Sequence, residues 1–230
     1  MIVHSQVVLF DQKLDGPQGF FVRPADDKTY PGLVLIQEWW GIEPHIRELA
    51  NRLATEGFAV IVPDLYHGQI ATEPNDAMKL VMMVRENFER ALSEVKIATD
   101  QLLAMPNVSG KIGIMGFCMG GTVTYKSVER DSRFAAFSPW YAGGYAPTAE
   151  DVAKINAPVL AIYGENDDGI PIVQIKQIEK LFADAGKKGD FRIYPNAGHA
   201  FNNPDHGMYA EDAAKDAWAR AVAFFKHHLQ

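Results

Sequence analysis

The chain has 230 residues, of which 47% are hydrophobic and 22% charged, and its net charge is −7. These values are close to those of ordinary globular domains, so they exclude a disordered chain and a fibrous repeat. The acidic balance argues against nucleic acids and anionic membrane surfaces as partners, because both require clustered Lys and Arg. We predict a single domain over residues 1–230, since one large domain accommodates this length.

The cysteine content and the N-terminal residues bear on the cellular compartment of the protein. A single cysteine, Cys118, excludes an intrachain disulfide. The N-terminal residues lack the basic and then apolar pattern of a secretory signal. The longest apolar runs, such as 33–36, fall far short of the roughly 20 residues that span a bilayer. We therefore predict a cytoplasmic protein without a transmembrane segment.

The apolar runs, taken in chain order, predict an α/β fold with helices on both faces of a sheet. Residues 2–24 contain two runs rich in Val, Phe and Leu, and Asp15-Gly16-Pro17 between them predicts the turn of a hairpin. From Pro31 onward, short apolar runs alternate with segments of helical period, which is typical of βαβ units and a mostly parallel sheet. The predicted strands are 32–37, 59–63, 112–117, 135–141, 159–163 and 191–194. The predicted helices are 45–56, 75–105, 120–130, 172–185 and 210–228.

The strongest chemical signal is the sharp corner predicted around the cysteine. Gly116-Phe117-Cys118-Met119-Gly120 fits the pattern of a nucleophile elbow, in which a strained turn from a strand into a helix lifts the nucleophile above the sheet. The same corner places the backbone N–H of Met119 at the start of a helix, where it can hold a developing oxyanion. A lone cysteine is more often a small buried hydrophobic residue, but this context favours a nucleophile.

Two further loops follow predicted strands at the carboxyl edge, where open α/β sheets bind their ligands. Asp167 and Asp168 come after the strand 159–163, and His199 comes after the strand 191–194. The chain order of nucleophile, acid and histidine is that of the α/β-hydrolases. The histidine would remove the thiol proton and the acid would orient the imidazole. We favour Asp167 as the acid and expect the other aspartate to be a turn or cap residue.

A third polar residue, Glu38, follows the strand 32–37 and precedes Trp39-Trp40. It is either a solvated carboxylate at the strand end or a buried one, and an apolar surround would raise the pKa of a buried carboxyl group. The backbone N–H of Trp39 is a candidate for the second donor to an oxyanion. Together these parts predict hydrolysis of an ester or lactone through an acyl-thioester, with no metal and no organic cofactor.

Five motifs in this order resemble those of the dienelactone hydrolases, also called carboxymethylenebutenolidases. They are Gln37-Glu38-Trp39-Trp40-Gly41, Pro63-Asp64-Leu65-Tyr66, Gly116-Phe117-Cys118-Met119-Gly120-Gly121, Gly164-Glu165-Asn166-Asp167 and Ala197-Gly198-His199-Ala200-Phe201. The resemblance spans nearly the whole chain and implies an α/β-hydrolase without a large cap domain. It implies that Cys118, Asp167 and His199 form a catalytic triad, and that Glu38 contacts the resting thiol until substrate binds.

The resemblance also bears on the substrate pocket. The candidate lining residues are Trp40, Tyr66, Trp140 and Phe201. Family members that act on dienelactone bind its carboxylate with two arginines, and this chain has Asn203 where one of them would lie. Arg85 or Lys79 is the candidate for the other. Because a bidentate arginine contributes a strong charge-assisted contact, its loss favours a less polar ester, lactone or thioester.

Two alternatives to a dienelactone hydrolase stay open. One is a general carboxylesterase or thioesterase without dienelactone activity. The other is a non-catalytic ligand-binding protein that uses Cys118 as a redox sensor, although a sensor has no need of an acid and a histidine around the thiol. For the catalytic alternatives, we expect a small-molecule ester or lactone as partner and a monomer or weak homodimer as the state in solution.

Overall fold

The computed structural model describes residues 2–9, 18–206 and 208–230. The predicted turn Asp15-Gly16-Pro17 lies outside the described residues. The chain divides into two compact units, Met1–Ile114 and Met115–Gln230, which are called unit 1 and unit 2 below. The single domain expected from the length stays a prediction.

Unit 1 begins with antiparallel strands and continues with parallel ones. Its strands are β1 (Val3–Leu9), β2 (Gln18–Pro24), β3 (Tyr30–Ile36) and β4 (Ala59–Pro63). β1 pairs antiparallel with β2, β2 pairs antiparallel with β4, and β3 is parallel to β4, which gives the order β1-β2-β4-β3. The predicted antiparallel pairing of the first two strands is therefore confirmed.

The helices of unit 1 differ from the prediction at one position. They are α1 (Pro44–Thr55), α2 (Pro74–Glu86) and α3 (Phe88–Ala104). The periodicity predicts one helix over 75–105, and this is wrong, because Asn87 interrupts it with φ −118° and ψ 40°. The side-chain Nδ2 of Asn87 donates to the carbonyl oxygen of Met83 at 3.0 Å. The backbone N–H of Asn87 donates to the same oxygen at 3.2 Å, so the side chain adds a second bond at the end of α2. An apolar period can therefore continue through a backbone break.

Strand β5 (Val108–Phe117) passes from unit 1 into unit 2. Unit 2 continues with α4 (Met119–Val128), β6 (Phe134–Trp140), α5 (Ala149–Lys154), β7 (Val159–Gly164), α6 (Ile172–Asp184), β8 (Gly189–Tyr194) and α7 (Glu211–Leu229). β6 is parallel to β7, and β7 is parallel to β8. Every residue of β7 is buried, as expected of a continuous apolar run in a parallel sheet covered on both faces.

Two short elements of unit 2 are missing from the sequence prediction. Helix α5 begins with a capping box, in which the Asp151 N–H donates to Thr148 Oγ1 at 3.2 Å and the Thr148 N–H donates to Asp151 Oδ2 at 3.0 Å. A single 3₁₀ turn covers Pro204–His206. Both elements are too short for an apolar period, so only the Thr-x-x-Asp spacing signals α5 in the sequence.

The carboxyl ends of the strands position the predicted site residues of unit 2. Cys118 directly follows β5, while Asp167 and His199 lie in the loops that leave β7 and β8. Because β7 and β8 are parallel neighbours, their carboxyl ends lie at the same edge of the sheet. The topology therefore brings the acid and the histidine together although they are far apart in the chain.

Candidate active site

Cys118 occupies the corner between β5 and α4. Its backbone has φ +56° and ψ −118°, a conformation that costs energy for a residue with a Cβ. Its N–H donates to the carbonyl oxygen of Trp140 at 3.0 Å, and its own carbonyl oxygen accepts from the N–H of Gly121 at 3.0 Å. These two bonds hold the strained corner, and the cysteine remains partly exposed.

Gly116 allows helix α4 to approach the end of β5. A Cβ at this position would overlap the carbonyl group of Gly120 and lie 2.7 Å from Thr124 Oγ1. The first glycine of the Gly-x-Cys-x-Gly pattern therefore has a steric cause, because the first turn of α4 packs directly on its backbone.

We expect Gly116→Ala to destabilise the protein, because β5 and α4 must separate at the corner to relieve the overlap. The free energy of unfolding in urea should fall by about 2 kcal/mol or more. Gly143→Ala is the matched control, since a Cβ there meets only Ile170 Cδ1, at 4.0 Å. Equal losses of stability in the two variants would contradict the steric explanation.

Asp167, His199 and Cys118 lie in one hydrogen-bonded line. His199 Nδ1 lies 2.7 Å from Asp167 Oδ2, and His199 Nε2 lies 3.1 Å from Cys118 Sγ. Asp167 is 5% exposed, and its Oδ1 accepts from the N–H of Gly169 at 3.0 Å, whereas Asp168 is exposed. Of the two adjacent carboxylates, Asp167 is thus the one that contacts the histidine.

The loop that carries His199 is fastened to the loop that carries Asp167. The N–H of Asn166 donates to the carbonyl oxygen of Ala197 at 2.8 Å. Gly164 packs so closely that a Cβ on it would overlap the same carbonyl group. These contacts hold the two loops against each other and support the short bond between acid and imidazole.

Left-handed backbone occurs on both sides of the histidine. Asn196 has φ +58°, and its N–H donates to Glu165 Oε2 at 3.1 Å. Ala200 has φ +55°, and its carbonyl oxygen accepts from the N–H of Asn203 at 2.9 Å. Asparagine tolerates this conformation, whereas alanine adopts it at a cost. The surrounding hydrogen bonds fix a loop conformation that His199 would not obtain from local preference.

The surroundings of His199 favour its protonated form. Burial, the largest influence, lowers the pKa of the imidazole, but the hydrogen bonds and charges of Asp167 and Cys118 together raise it from 6.5 to about 10. The imidazolium that this pKa favours is the form that stabilises a thiolate beside it.

This raised pKa predicts how the stability of the protein depends on pH. Because the pKa of His199 is higher in the folded protein than in the unfolded chain, the stabilisation is complete below the unfolded value of 6.5 and is lost as the pH rises through about 10. The wild-type advantage in unfolding free energy over His199→Gln should therefore shrink by roughly a few kcal/mol between about pH 6 and about pH 11, as measured in urea. A difference that stays constant over this range would show that the pKa is not raised.

The predicted site residues of unit 1 lie after β3, after β4 and on α2. Glu38 is 1% exposed, so its carboxyl group is buried rather than solvated. The rings of Trp39 and Trp40 contact each other edge to face, with centroids 4.9 Å apart. Tyr66 is fully buried, whereas Arg85 is exposed in the last turn of α2. Their roles in catalysis and substrate binding stay predictions.

The remaining predicted site residues of unit 2 lie near the cysteine corner and the histidine loop. Met119 is the first residue of α4, at the positive end of the helix dipole. Trp140 and Phe201 have no exposed surface, and their ring centroids are 6.2 Å apart. Asn203 is also fully buried, and its Oδ1 accepts from the N–H of Asp205 at 3.0 Å. Their assigned roles likewise stay predictions.

Tyr141 is a neighbour of the histidine that the sequence analysis did not identify. Its ring centroid lies 5.2 Å from that of His199, with 59° between the ring planes. It is fully buried, and its backbone has φ +35°. The only signal in the sequence is its place at the end of the predicted strand 135–141. Its direction depends on a positive φ, which the residue type tyrosine does not indicate.

Known proteins resemble this chain over nearly its whole length. The family model of the dienelactone hydrolase family matches residues 18–229. Protein usf of Aquifex pyrophilus is 34% identical over 232 residues, which cover 98% of this chain and 99% of that protein. A provisionally assigned carboxymethylenebutenolidase of Salmonella typhimurium is 30% identical over 228 residues, which cover 93% of this chain and 84% of that one. Among solved structures, a dienelactone hydrolase-like promiscuous phosphotriesterase from metagenomic libraries is 22% identical, with a TM-score of 0.90 over 99% of both chains.

The fold is that of an α/β-hydrolase, with a mixed sheet, flanking helices and no large cap domain among the described residues. The chain belongs to the dienelactone hydrolase family and is a hydrolase. The fold class and the family resemblance predicted from the sequence are thereby confirmed.

Proposed function

We propose that the chain hydrolyses a carboxylic ester or lactone through attack by Cys118 Sγ. The observation that supports this is the line of hydrogen bonds from Asp167 through His199 to Cys118, with distances of 2.7 Å and 3.1 Å. A thiol needs an adjacent base to become a competent nucleophile, and the base here is oriented by a buried carboxylate. The family gives the class of reaction, and this geometry supports the choice of nucleophile.

In the proposed reaction, His199 Nε2 takes the thiol proton and Cys118 Sγ attacks the carbonyl carbon. Negative charge develops on the carbonyl oxygen, which accepts a hydrogen bond from the N–H of Met119 at the start of α4. The C–O bond to the leaving alcohol breaks, the alcohol oxygen receives the proton from His199, and an acyl-thioester remains. Water then attacks the thioester while His199 takes a proton from it, the C–S bond breaks, and the sulfur regains its proton.

Asp167 determines which imidazole nitrogen faces the sulfur. Because its carboxylate accepts from Nδ1–H, the other nitrogen, Nε2, is left to accept the thiol proton. The same carboxylate stabilises the imidazolium that forms, in keeping with the raised pKa of His199. The acid therefore acts on the cysteine through the histidine.

Two assignments in unit 1 stay predictions. The N–H of Trp39 is the predicted second donor to the oxyanion, and Glu38 is the predicted contact of the resting thiol. Burial of Glu38 supports a role other than that of a solvated surface charge.

Isolation of the acyl-enzyme tests the proposal. After rapid acid quench of a reaction with p-nitrophenyl acetate, intact-mass spectrometry should detect protein that carries one acetyl group. Neutral hydroxylamine should remove the group, as expected of a thioester, and peptide mapping should place it on Cys118. An acetyl group on any other residue during turnover would contradict the proposed nucleophile.

A general carboxylesterase or thioesterase without dienelactone activity is the second candidate. The position where the resemblance leads one to expect an arginine holds Asn203, which is uncharged, fully buried and hydrogen-bonded to the backbone of Asp205. Such a side chain offers no charge-assisted bond to a substrate carboxylate, which favours a neutral substrate. Comparison of kcat/KM for a carboxylate-bearing lactone and a neutral aryl ester separates the candidates, since preference for the lactone would favour dienelactone hydrolysis.

The expected partner of a hydrolase of this family is a small-molecule substrate. Among the described residues, no helix combines the length and the apolar character needed to cross a membrane. A cytoplasmic location and a monomeric or weakly dimeric state stay predictions.

A further inference from the structure

Four buried aromatic residues connect the cysteine corner to the histidine loop. They are Phe117, Trp140, Tyr141 and Phe201, called the aromatic cluster below, and none has exposed surface. Phe117 directly precedes Cys118, and Phe201 lies just beyond His199. We propose that the aromatic cluster sets the distance between the thiol and the imidazole, and that Tyr141 is the positioning residue that completes it. This inference rests on the proposed function, which makes that distance matter.

Within the aromatic cluster, the rings of Trp140 and Tyr141 each lie close to the rings of both other members. The Trp140 ring lies 5.0 Å from Phe117 and 6.2 Å from Phe201, measured between centroids. The Tyr141 ring lies 6.0 Å from Phe117 and 5.7 Å from Phe201. Trp140, the last residue of β6, and Tyr141, which follows it, therefore each contact both Phe117 and Phe201. Close-packed aromatic rings at these separations attract one another and resist displacement.

The backbone at the end of β6 explains how adjacent residues can share the same neighbours. In a regular strand, consecutive side chains point to opposite faces of the sheet. Tyr141 leaves the strand with φ +35°, and its N–H donates to the carbonyl oxygen of Ile162 at 2.6 Å. A positive φ is a costly conformation for a bulky residue, and it persists only where the surrounding structure imposes it. The carbonyl group of Trp140, one residue earlier, accepts from the N–H of Cys118.

The Tyr141 ring is placed to restrain out-of-plane tilting of the His199 imidazole. The bonds to Asp167 and Cys118 meet the imidazole at its two nitrogens, in the plane of the ring. They fix these nitrogens but resist out-of-plane tilting only weakly. The Tyr141 ring, 5.2 Å from the imidazole and inclined by 59°, packs against it and opposes that tilt. Loss of the ring should let Nε2 move away from Sγ.

Kinetics of Tyr141→Leu test the inference. Because a misplacement of about 1 Å is costly for a reacting pair, kcat for p-nitrophenyl acetate should fall about ten- to hundredfold, with a smaller change in KM. Tyr141→Phe keeps the ring and should recover most of this loss. Phe182→Leu is the matched control, because Phe182 is 1% exposed and packs on Phe137 and Phe191, at 6.5 Å and 5.4 Å. This variant should lose stability and keep its kcat.

A spectroscopic measurement separates positioning from a general loss of structure. The proton in the short bond between His199 Nδ1 and Asp167 should give a low-field NMR resonance. In Tyr141→Leu this resonance should broaden or disappear, whereas in Tyr141→Phe and in Phe182→Leu it should persist.

Equal losses of kcat in Tyr141→Leu and Phe182→Leu, with the resonance retained in both, would overturn the inference. If Tyr141→Leu does not fold, Phe201→Leu applies the same test from the other end of the aromatic cluster, and a wild-type kcat and resonance there would overturn it as well. Measurement of Cys118→Ala in the same experiment distinguishes a failure of the proposed nucleophile from a failure of the positioning role. Full activity in that variant would refute the nucleophile, whereas its inactivity together with a wild-type kcat in Tyr141→Leu would refute only the positioning role.

Discussion

Cys118→Ala is expected to lower kcat for p-nitrophenyl acetate by about a thousandfold or more, leaving only what binding and oxyanion stabilisation provide. The substitution removes the sulfur that lies 3.1 Å from His199 Nε2 and leaves this nitrogen without a nucleophile to deprotonate. The fold should persist, because the corner is held by the backbone N–H and carbonyl groups of residue 118 rather than by its side chain. Steady-state kinetics and thermal unfolding, measured on the same sample, check both expectations.

Ser127→Ala is the matched control for the cysteine variant. Ser127 lies on α4, the helix that starts at the corner, and is 5% exposed. Among the described residues, its Oγ has no hydrogen-bond partner. Loss of this hydroxyl group should leave kcat within about twofold of wild type. If instead Cys118→Ala retains more than about a tenth of the wild-type kcat, another residue is the nucleophile.

Asp167→Asn is expected to lower kcat by about a thousandfold to ten-thousandfold with little change in KM. An asparagine amide can donate to Nδ1, which would place the imidazole hydrogen on Nε2, facing the sulfur. Nε2 could then no longer accept the thiol proton. The substitution also removes one of the groups that raise the pKa of His199 to about 10 against the opposing effect of burial. The imidazolium form, and with it the thiolate, should therefore be disfavoured at neutral pH.

Asp168→Asn removes the same charge one position further along the chain. Asp168 is exposed, and we expect its loss to leave kcat unchanged. The two variants have the same net charge, so a difference in kcat between them reports the position of the carboxylate and not the loss of charge. If Asp168→Asn were the inactive variant and Asp167→Asn the active one, the assignment of the acid would be reversed.

Much of the fold could be predicted because its central strands are buried on both faces. The apolar run 59–63 coincides with β4, and the run 159–163 falls one residue short of β7. The break at Asn87 could not be predicted, because the apolar period continues unchanged through it. That break is a change of backbone conformation at one residue, which a periodic pattern of apolar residues does not contain.

The candidate site was predictable where residue type and position coincide with a strand end. Cys118 and His199 stand out because each lies beyond an apolar run, with Gly116 and Gly120 two residues from the cysteine and Gly198 directly before the histidine. Asp167 and Asp168 are equivalent by residue type, and the sequence favours Asp167 only through its Gly-x-x-Asp spacing from Gly164. The structure shows that Asp167 contacts the histidine and that Asp168 is exposed. Tyr141 was not predictable, because its contact with the imidazole depends on a positive φ in a residue that rarely adopts one.

The left-handed backbone at Ala200 has a consequence for the mutational tolerance of the histidine loop. Valine, isoleucine and threonine pay the largest steric penalty at φ +55°, so a library at this position should be depleted of them, whereas glycine and asparagine should be enriched among active clones. The side chain next to His199 is thus limited by the backbone conformation of residue 200, whatever the substrate. Diversification of substrate preference in this scaffold is better directed at neighbouring positions whose backbone accepts any side chain.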